Sequence, residues 1–277
     1  MFQTQSITDF ADPRLAPFRS MRAQFDHLHD GVFVAEGEKV VRRLLESSCE
    51  IVSVLLPPKW QAEYEPLLAV RPENIELFVA DREVLTKLTG FSTYQGLLGL
   101  ARVTAPVTLA DLNRLPEPRL LVALDGLTNA ENVGTVVRNL VALGGQALVV
   151  GETSAHPYLR RAVRSSMGGI FKVPYTVSSG LVESLAELRS SGVRCVAAHP
   201  HTEQRWLWDV DFTRPTCLVL GAEGEGIRPE VLSACDEVVA LPMSNGVDSL
   251  NVANAAAVFL AEVQRQRGKL RAEGKTS

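Results

Sequence analysis

The chain has 277 residues, of which 46% are hydrophobic and only 6% aromatic, with a net charge of −4 and a sequence pI near 5.8. This length suits one large domain or two modest ones with an aliphatic core. The acidic balance excludes a general attraction to nucleic acid, so any polyanion must be bound by a local basic patch.

Secreted, membrane-spanning and metal-centred proteins are also disfavoured by the sequence. The four cysteines are scattered without a CxxC pair, which predicts free thiols in a reducing cytoplasm and no metal site. The opening stretch lacks the basic start and apolar core of a signal peptide. No run reaches the roughly 18 apolar residues that a membrane span needs. We therefore expect a cytoplasmic protein without a membrane partner.

In the first hundred residues, short apolar runs typical of strands alternate with helical patterns. Strands are predicted at residues 32–37, 50–56, 75–80 and 97–103. Helices are predicted at residues 37–48, where the apolar residues form one stripe, and near 82–88. This alternation indicates an α/β unit.

A second α/β region follows residues 104–119, which hold three prolines and are typical of a linker. We place an N-terminal domain at residues 1–104, the linker at 105–119 and a second domain at 120–277. Strands of the second domain are predicted at residues 120–126, 146–151, 193–199, 216–221 and 237–243. Helices are predicted at about 131–143, 181–190 and 250–265, with a frayed basic tail beyond. The near-continuous aliphatic strands predict a mostly parallel sheet covered on both faces.

Three predicted strand ends are unusually polar or glycine-rich, at residues 125–139, 221–230 and 241–262. Ligands of parallel α/β sheets bind beyond such ends. The glycines of residues 221–226 follow neither GxGxxG nor a P-loop pattern, so nothing supports a dinucleotide or phosphate-loop site.

Each stretch alone has an ordinary structural explanation. The glycines could form a simple turn, Asn132 could cap a helix, and Arg138 could be a solvated surface cation. Ser249 could likewise be an N-cap. A cap accounts for one polar residue after the last strand, however, and not for Asn251 and Asn254 as well.

Taken together and in this order, the three stretches resemble the SpoU (TrmH-type) family of S-adenosylmethionine-dependent RNA ribose methyltransferases. The matching segments are Asn132-Val133-Gly134 with Arg138, then Gly221-Ala222-Glu223-Gly224-Glu225-Gly226, then Pro242-Met243 with Ser249-Leu250-Asn251-Val252. Residues 163–174 are similar to a fourth family segment, R-x-S-x-G. The likeness covers residues 120–265. Residues 33–41 and 94–103 are more loosely similar to the small ribosomal-protein-like RNA-binding domain that many members carry, which implies that residues 1–104 form an N-terminal RNA substrate-binding domain.

The resemblance implies a C-terminal α/β trefoil-knot domain of the SPOUT type with a mostly parallel sheet, plus a small N-terminal α/β ribosomal-protein-like domain. It implies S-adenosylmethionine as cofactor and no metal. It assigns cofactor contacts, largely through backbone atoms and apolar walls, to Gly221, Leu241, Leu250, Leu220 and Met243.

The resemblance also implies a catalytic set, in which Asn132 orients Arg138 and the others surround substrate and cofactor: Asn132, Arg138, Glu223, Ser249 and Asn251. Arginine is a poor general base because its pKa lies above 12, so Arg138 is expected chiefly to position the ribose hydroxyl and a phosphate. Residues 153–182 carry four cations and no acid, which predicts phosphate contacts from Arg160, Arg161 and Arg164.

The expected activity is methyl transfer to a ribose 2′-hydroxyl of structured RNA by a homodimer. Ribosomal RNA is the preferred substrate because the two-part layout resembles members that act on it. A transfer RNA substrate, a non-catalytic RNA-binding or ribosome-assembly factor with the same fold, and an unrelated nucleotide-dependent enzyme are the alternatives.

Overall fold

The computed structural model describes residues 1–20, 24–89, 96–200 and 205–273. The chain divides into two compact units, Met1–Ala105 with Tyr158–Lys172, and Pro106–Pro157 with Val173–Ser277. Tyr94 and Gln95, which begin the second N-terminal likeness, lie outside the described residues, as do the last four residues of the tail.

A five-stranded mixed sheet forms the first unit. Its strands are β1 (Phe2–Ile7), β2 (Val32–Glu36), β3 (Ile51–Leu56), β4 (Ile75–Ala80) and β5 (Leu98–Arg102). Their order is β1-β4-β3-β5-β2, with β1, β4 and β3 parallel and β5 antiparallel to both neighbours. The four predicted strands are confirmed. Sequence reading missed β1, because this edge strand buries only Ile7 and its FQTQSI sequence lacks an apolar run.

The second unit is built on a six-stranded sheet in which every pair is parallel. Its strands are β6 (Leu120–Asp125), β7 (Ala147–Val150), β8 (Tyr175–Val177), β9 (Arg194–Ala198), β10 (Thr216–Gly221) and β11 (Glu237–Val239). Their order is β11-β9-β10-β6-β7-β8. Every residue of β6, β7 and β10 is buried, as expected for a parallel sheet with both faces covered. The chain leaves β6 toward β7 and β8 and later returns to β9 and β10, so a ligand crevice is expected at the carboxyl ends of these strands.

The helices of both units vary widely in length. They are α1 (Ala16–Arg19), α2 (Gln24–His29), α3 (Glu38–Leu45), α4 (Gln61–Ala69), α5 (Arg82–Thr89), α6 (Leu109–Leu112), α7 (Ala130–Ala142), α8 (Arg160–Ser165), α9 (Leu181–Ser190), α10 (Pro229–Ala234) and α11 (Val252–Glu273). Within the described ranges, no helix combines the length and apolar character needed to cross a bilayer.

Helix α11 is longer than predicted. The basic segment expected to fray is helical as far as Glu273. Two of its side chains hold it to a neighbouring loop: Gln266 Nε2 donates to the Val210 carbonyl at 2.9 Å and Arg267 Nε to the Phe212 carbonyl at 3.0 Å. Local composition suggested a solvated tail, whereas these long-range hydrogen bonds stabilise a helix.

The compact units differ from the predicted domain division in two segments. Residues 106–119 of the predicted linker belong to the second unit, where α6 has a Thr108–Asp111 capping box and a buried Leu112. Tyr158–Lys172 belongs to the first unit, where the Phe33 ring lies 4.7 Å from Tyr158 and 5.6 Å from Phe171 between centroids. The boundary at residue 104 and the threading of a knot stay predictions.

His156 makes the stability of the second unit dependent on pH. Burial lowers the pKa of His156 to about 4, and its ring lies edge-on to Tyr175 at 5.4 Å. The neutral imidazole is favoured in the folded state, so its contribution is complete above the unfolded pKa near 6.5 and is lost as the pH falls toward 4. Between pH 7 and pH 5 this loss is about 2 kcal/mol of unfolding free energy.

Urea unfolding of the wild type and of His156→Gln at both pH values measures this effect. Glutamine has no proton to gain, so the variant is expected to lose less unfolding free energy on acidification. Equal losses in the two proteins would contradict the assignment.

Candidate functional site

A cavity of about 330 Å³ lies in the second unit, beyond the carboxyl ends of β9, β10 and β11. Its buried walls include Leu220, Val239 and Phe259. All five predicted cofactor-contact residues line it: Leu220, Gly221, Leu241, Met243 and Leu250. Strand β11 ends at Val239, shorter than predicted, because the chain leaves the sheet there to form the cavity wall. A turn at Asn245 and Gly246, with φ of 58° and 72°, follows the wall-forming Leu241 and Met243.

The glycine-rich loop after β10 folds back on itself. Ala222 and Gly226 exchange backbone hydrogen bonds of 2.9 and 3.0 Å, which leaves Glu223, Gly224 and Glu225 at the tip. A Cβ atom at Gly221 would lie 2.3 Å from the Gly226 carbonyl carbon. Residue 221 must therefore be glycine because the backbone of the same loop packs against it, whether or not a ligand also lies close to it.

An ion pair that the sequence reading missed anchors the far end of this loop. Asp125, 1% exposed at the end of β6, accepts hydrogen bonds from the Arg228 backbone N–H at 2.8 Å and from Arg228 Nε at 2.7 Å. The Arg228 guanidinium also lies 2.7 Å from Glu152, and this hydrogen bond raises the pKa of Arg228. A buried carboxylate needs such a partner. The one feature of the sequence that could have indicated this ion pair is the aspartate at the end of the otherwise apolar strand β6.

Three predicted catalytic side chains meet in one polar cluster at the rim. Asn132 Nδ2 donates to Glu223 Oε1, while Asn251 Nδ2 donates to the same oxygen at 2.9 Å and to Asn132 Oδ1 at 3.2 Å. These residues come from α7, the loop after β10 and the start of α11. Both amides donate toward Glu223, so the cluster holds a carboxylate anion in a fixed position.

Helix capping fixes the orientation of the Asn251 amide. Asn251 Oδ1 accepts the Ala253 backbone N–H at 2.9 Å at the start of α11. With the oxygen thus engaged, the NH₂ group must face Glu223. The N-cap suggested for Ser249 is therefore supplied by Asn251, and Asn129 fills the same role for α7 by accepting from Glu131 N and Asn132 N.

Arg138 and Ser249 stand apart from this cluster. Arg138 is exposed on α7, and the described residues supply no acceptor for its guanidinium. The Asn132 amide bonds to Glu223 and Asn251, a different arrangement from the expected contact with Arg138. Ser249 is exposed and lines the cavity beside Leu250, which is 41% exposed.

The three predicted RNA-contacting arginines lie on α8 in the first unit and differ in accessibility. Arg161 is exposed, and the Arg164 side chain is 61% exposed. The Arg160 side chain is only 16% exposed and pairs with Glu36 at 2.6 Å. Arg160 therefore has the least surface available for a ligand.

The charge around the cavity restricts what it can bind. Glu223 and Glu225 stand at its rim, and among the described residues neither Lys nor Arg lines it. Anionic phosphates would be repelled by such a rim, whereas a ligand with a positive centre and an apolar ring system suits the acidic rim and aliphatic walls.

Replacement of Asn251 by aspartate separates its capping from its amide contacts. Aspartate caps helices as well as asparagine does, but it cannot donate to Glu223 and adds a second negative charge beside it. We expect Asn251→Asp to fold with a melting temperature near that of the wild type. Activity is expected to fall at least about tenfold, since a charge-assisted hydrogen bond is lost.

Asn129→Asp is the matched control, because it makes the same change at the cap of α7. It should keep activity within about twofold, as expected when a cap is conserved. Thermal melts of both variants and initial rates of the expected methyl transfer measure the difference. Equal activities of the two variants would contradict a role for the Asn251 amide.

Comparison with known proteins gives consistent matches across the chain. The model of the SpoU rRNA methylase family matches residues 119–261. An uncharacterized tRNA/rRNA methyltransferase of Mycobacterium bovis is 34% identical over 270 residues, which cover 94% of this chain and 92% of that protein. The 23S rRNA (guanosine-2'-O-)-methyltransferase RlmB of Ralstonia nicotianae is 33% identical over 203 residues, 73% of this chain and 81% of that protein.

A solved structure agrees with these matches. The SpoU methyltransferase AviRb from Streptomyces viridochromogenes, in complex with AdoMet, superposes with a TM-score of 0.80 at 26% identity. The match covers 92% of this chain and 98% of that chain. The similarity thus includes both compact units of the chain.

Proposed function

The chain belongs to the SpoU rRNA methylase family, and from that premise we propose that it transfers a methyl group from S-adenosylmethionine to a ribose 2′-hydroxyl of ribosomal RNA. The observation that carries the proposal is the cluster of Asn132, Glu223 and Asn251 at the rim of the cavity. Three stretches remote in sequence meet there, beside an acidic cavity with apolar walls. An RNA-binding factor without catalysis has no need of such an arrangement.

The cavity fits S-adenosylmethionine, the cofactor of this family. When bound, this cofactor supplies an electrophilic methyl group on a positively charged sulfonium. Leu220, Val239 and Phe259 provide apolar surface for its ring system, and the backbone of the glycine-rich loop offers hydrogen-bonding groups. Glu223 and Glu225 favour a positive ligand electrostatically.

The side chains at the rim position the nucleophile. Asn132 and Asn251 hold Glu223 in a single orientation, so that its free oxygen can accept a hydrogen bond from substrate. Arg138 donates hydrogen bonds to the ribose oxygen and an adjoining phosphate, which orients the hydroxyl for in-line attack. Because a guanidinium remains protonated at neutral pH, Arg138 acts by positioning, and the proton released on methylation passes to solvent.

We further propose that the active form is a homodimer and that each site receives Arg138 from the second copy. Arg138 does not line the cavity of its own chain. Mixing the two impaired proteins, Arg138→Ala and Asn251→Asp, tests this directly. Exchange should restore about a quarter of the wild-type rate, since half of the dimers are mixed and each has one intact site. Full activity of a protein that light scattering shows to be a monomer would contradict the shared site. So would the absence of any recovered activity after subunit exchange has been confirmed.

Ribosomal RNA is favoured over transfer RNA by two observations. The chain is 33% identical to a relative named as a 23S rRNA methyltransferase across 73% of its length. It also carries a separate first unit with exposed arginines on α8, beside which a large folded RNA could lie. Transfer RNA remains the second candidate, since other relatives are named for both substrates.

Cofactor selectivity and product chemistry test the proposed reaction. Calorimetry should detect binding of S-adenosylmethionine and none of NAD or ATP at the same concentrations. After reaction with ribosomal RNA, nucleoside mass spectrometry should find the new methyl group on ribose. Preferential binding of NAD or ATP, or a methyl group on a base, would overturn the proposal.

A further inference from the structure

Glu36 is a buried carboxylate in the first unit whose two oxygens each bind a different arginine. It is the last residue of β2 and is 8% exposed. Oε2 accepts from Arg160 Nη1 at 2.6 Å, and Oε1 accepts from Arg164 Nη1 at 3.3 Å. One negative charge thus faces two positive ones, and the group of three has a net charge of +1.

The excess positive charge is carried by the exposed arginine. Arg160 is 16% exposed and Arg164 61% exposed in their side chains. A guanidinium has five N–H donors in a planar fork, and Arg164 uses one of them on Glu36. Within the described part of the chain, its other donors have no protein acceptor, so they face solvent. Arg161, three residues earlier and exposed, lies on the same side of α8.

We propose that Glu36 is a positioning residue for RNA binding, which holds Arg164 with its free donors directed at a substrate phosphate. The proposal rests on the proposed function, and it concerns a residue that acts on RNA through Arg164 without touching the RNA itself. A free arginine side chain loses much rotational freedom when it binds a phosphate. Because one N–H of Arg164 is already bonded to a buried carboxylate, less rotational freedom remains to be lost when RNA binds. Arg160 donates to the other oxygen of Glu36.

The sign of the effect distinguishes positioning from simple electrostatics. Glu36→Gln removes a negative charge from a surface that should bind a polyanion, so long-range electrostatics alone predicts tighter binding. Loss of positioning predicts weaker binding. We expect the dissociation constant for ribosomal RNA to rise about tenfold, the loss expected for one charge-assisted hydrogen bond.

The experiment is filter binding of the full chain, without cofactor, to deproteinised ribosomal RNA from a strain lacking the protein. The matched control is Glu73→Gln in the same unit, where Glu73 and Arg71 form an ion pair with side chains 15% and 13% exposed. The control should lower the melting temperature as Glu36→Gln does and leave the RNA dissociation constant unchanged. Cofactor affinity should be unaltered in both variants.

A double-mutant cycle shows whether Glu36 acts through Arg164. In an Arg164→Ala background, Glu36→Gln should cause no further loss of RNA affinity, whereas in an Arg161→Ala background its full effect should remain. Unchanged or tighter RNA binding by Glu36→Gln, or an undiminished effect in the Arg164→Ala background, overturns the proposal. Wild-type protein that binds ribosomal RNA but transfers no methyl group would refute the proposed function separately, because the positioning role is decided by dissociation constants.

Discussion

Arg138→Ala is expected to lower the methyl-transfer rate by about 10³-fold, within the range for removal of a positioned catalytic group. Arg138 is exposed and does not line the cavity, so its truncation should disturb neither folding nor the cofactor site. The loss should therefore appear in the chemical step, with the dissociation constant of S-adenosylmethionine changed by less than about twofold.

Single-turnover kinetics and calorimetry on the same preparation separate these effects. Arg114→Ala is the matched control, because Arg114 has an 83% exposed side chain in the same unit and lies outside the cavity lining. It should behave as the wild type. If Arg138→Ala lost cofactor affinity while remaining folded, Arg138 would be a cofactor-site residue and the positioning role would be wrong.

Gly221→Ala is expected to weaken cofactor binding about a hundredfold, because overpacking at a site without free space costs up to about 3 kcal/mol. The added Cβ would lie 2.3 Å from the Gly226 carbonyl carbon and 2.4 Å from Ile227 N, both of them backbone atoms. The loop would have to open, which displaces Glu223 and the cavity wall together.

Gly268→Ala is the control for this substitution, since a Cβ placed there meets no atom within 4 Å beyond its chain neighbours and the adjacent backbone of its own helix. Circular dichroism and thermal melts establish folding, and calorimetry measures cofactor affinity. If Gly221→Ala proves unfolded, Gly224→Ala at the exposed loop tip, where φ is +86°, gives a second measurement of the same loop. A folded Gly221→Ala protein with wild-type cofactor affinity would show that the loop's return is not needed for binding.

Elements with strong apolar periodicity were predictable from the sequence. Helix α9 and strand β10 begin and end where the pattern placed them, at Leu181–Ser190 and Thr216–Gly221. Helix α4 was missed because Pro66 interrupts its pattern. The prediction of a frayed tail was wrong because Gln266 and Arg267 form hydrogen bonds with residues more than fifty positions away. Contacts of that separation leave no local signal.

The residues of the candidate site were predicted by resemblance, but their arrangement was not. The sequence could not show that Asn251 caps α11 and so turns its amide toward Glu223. Nor could it show that Asp125 and Arg228 anchor the glycine-rich loop across 103 positions. The basic run on α8 predicted three equivalent arginines, whereas buried Glu36 makes Arg160 and Arg164 unlike each other.

The most direct test of the central claim is transfer of a labelled methyl group from S-adenosylmethionine to RNA from a strain that lacks this protein, with ribosomal and transfer RNA separated. The proposed function predicts label in ribosomal RNA, retained in an alkali-resistant dinucleotide because a 2′-O-methyl group blocks cleavage of the adjoining phosphodiester. Label only in transfer RNA would contradict the proposed substrate and keep the chemistry. No label in either RNA from a protein that binds the cofactor would contradict the enzymatic function itself.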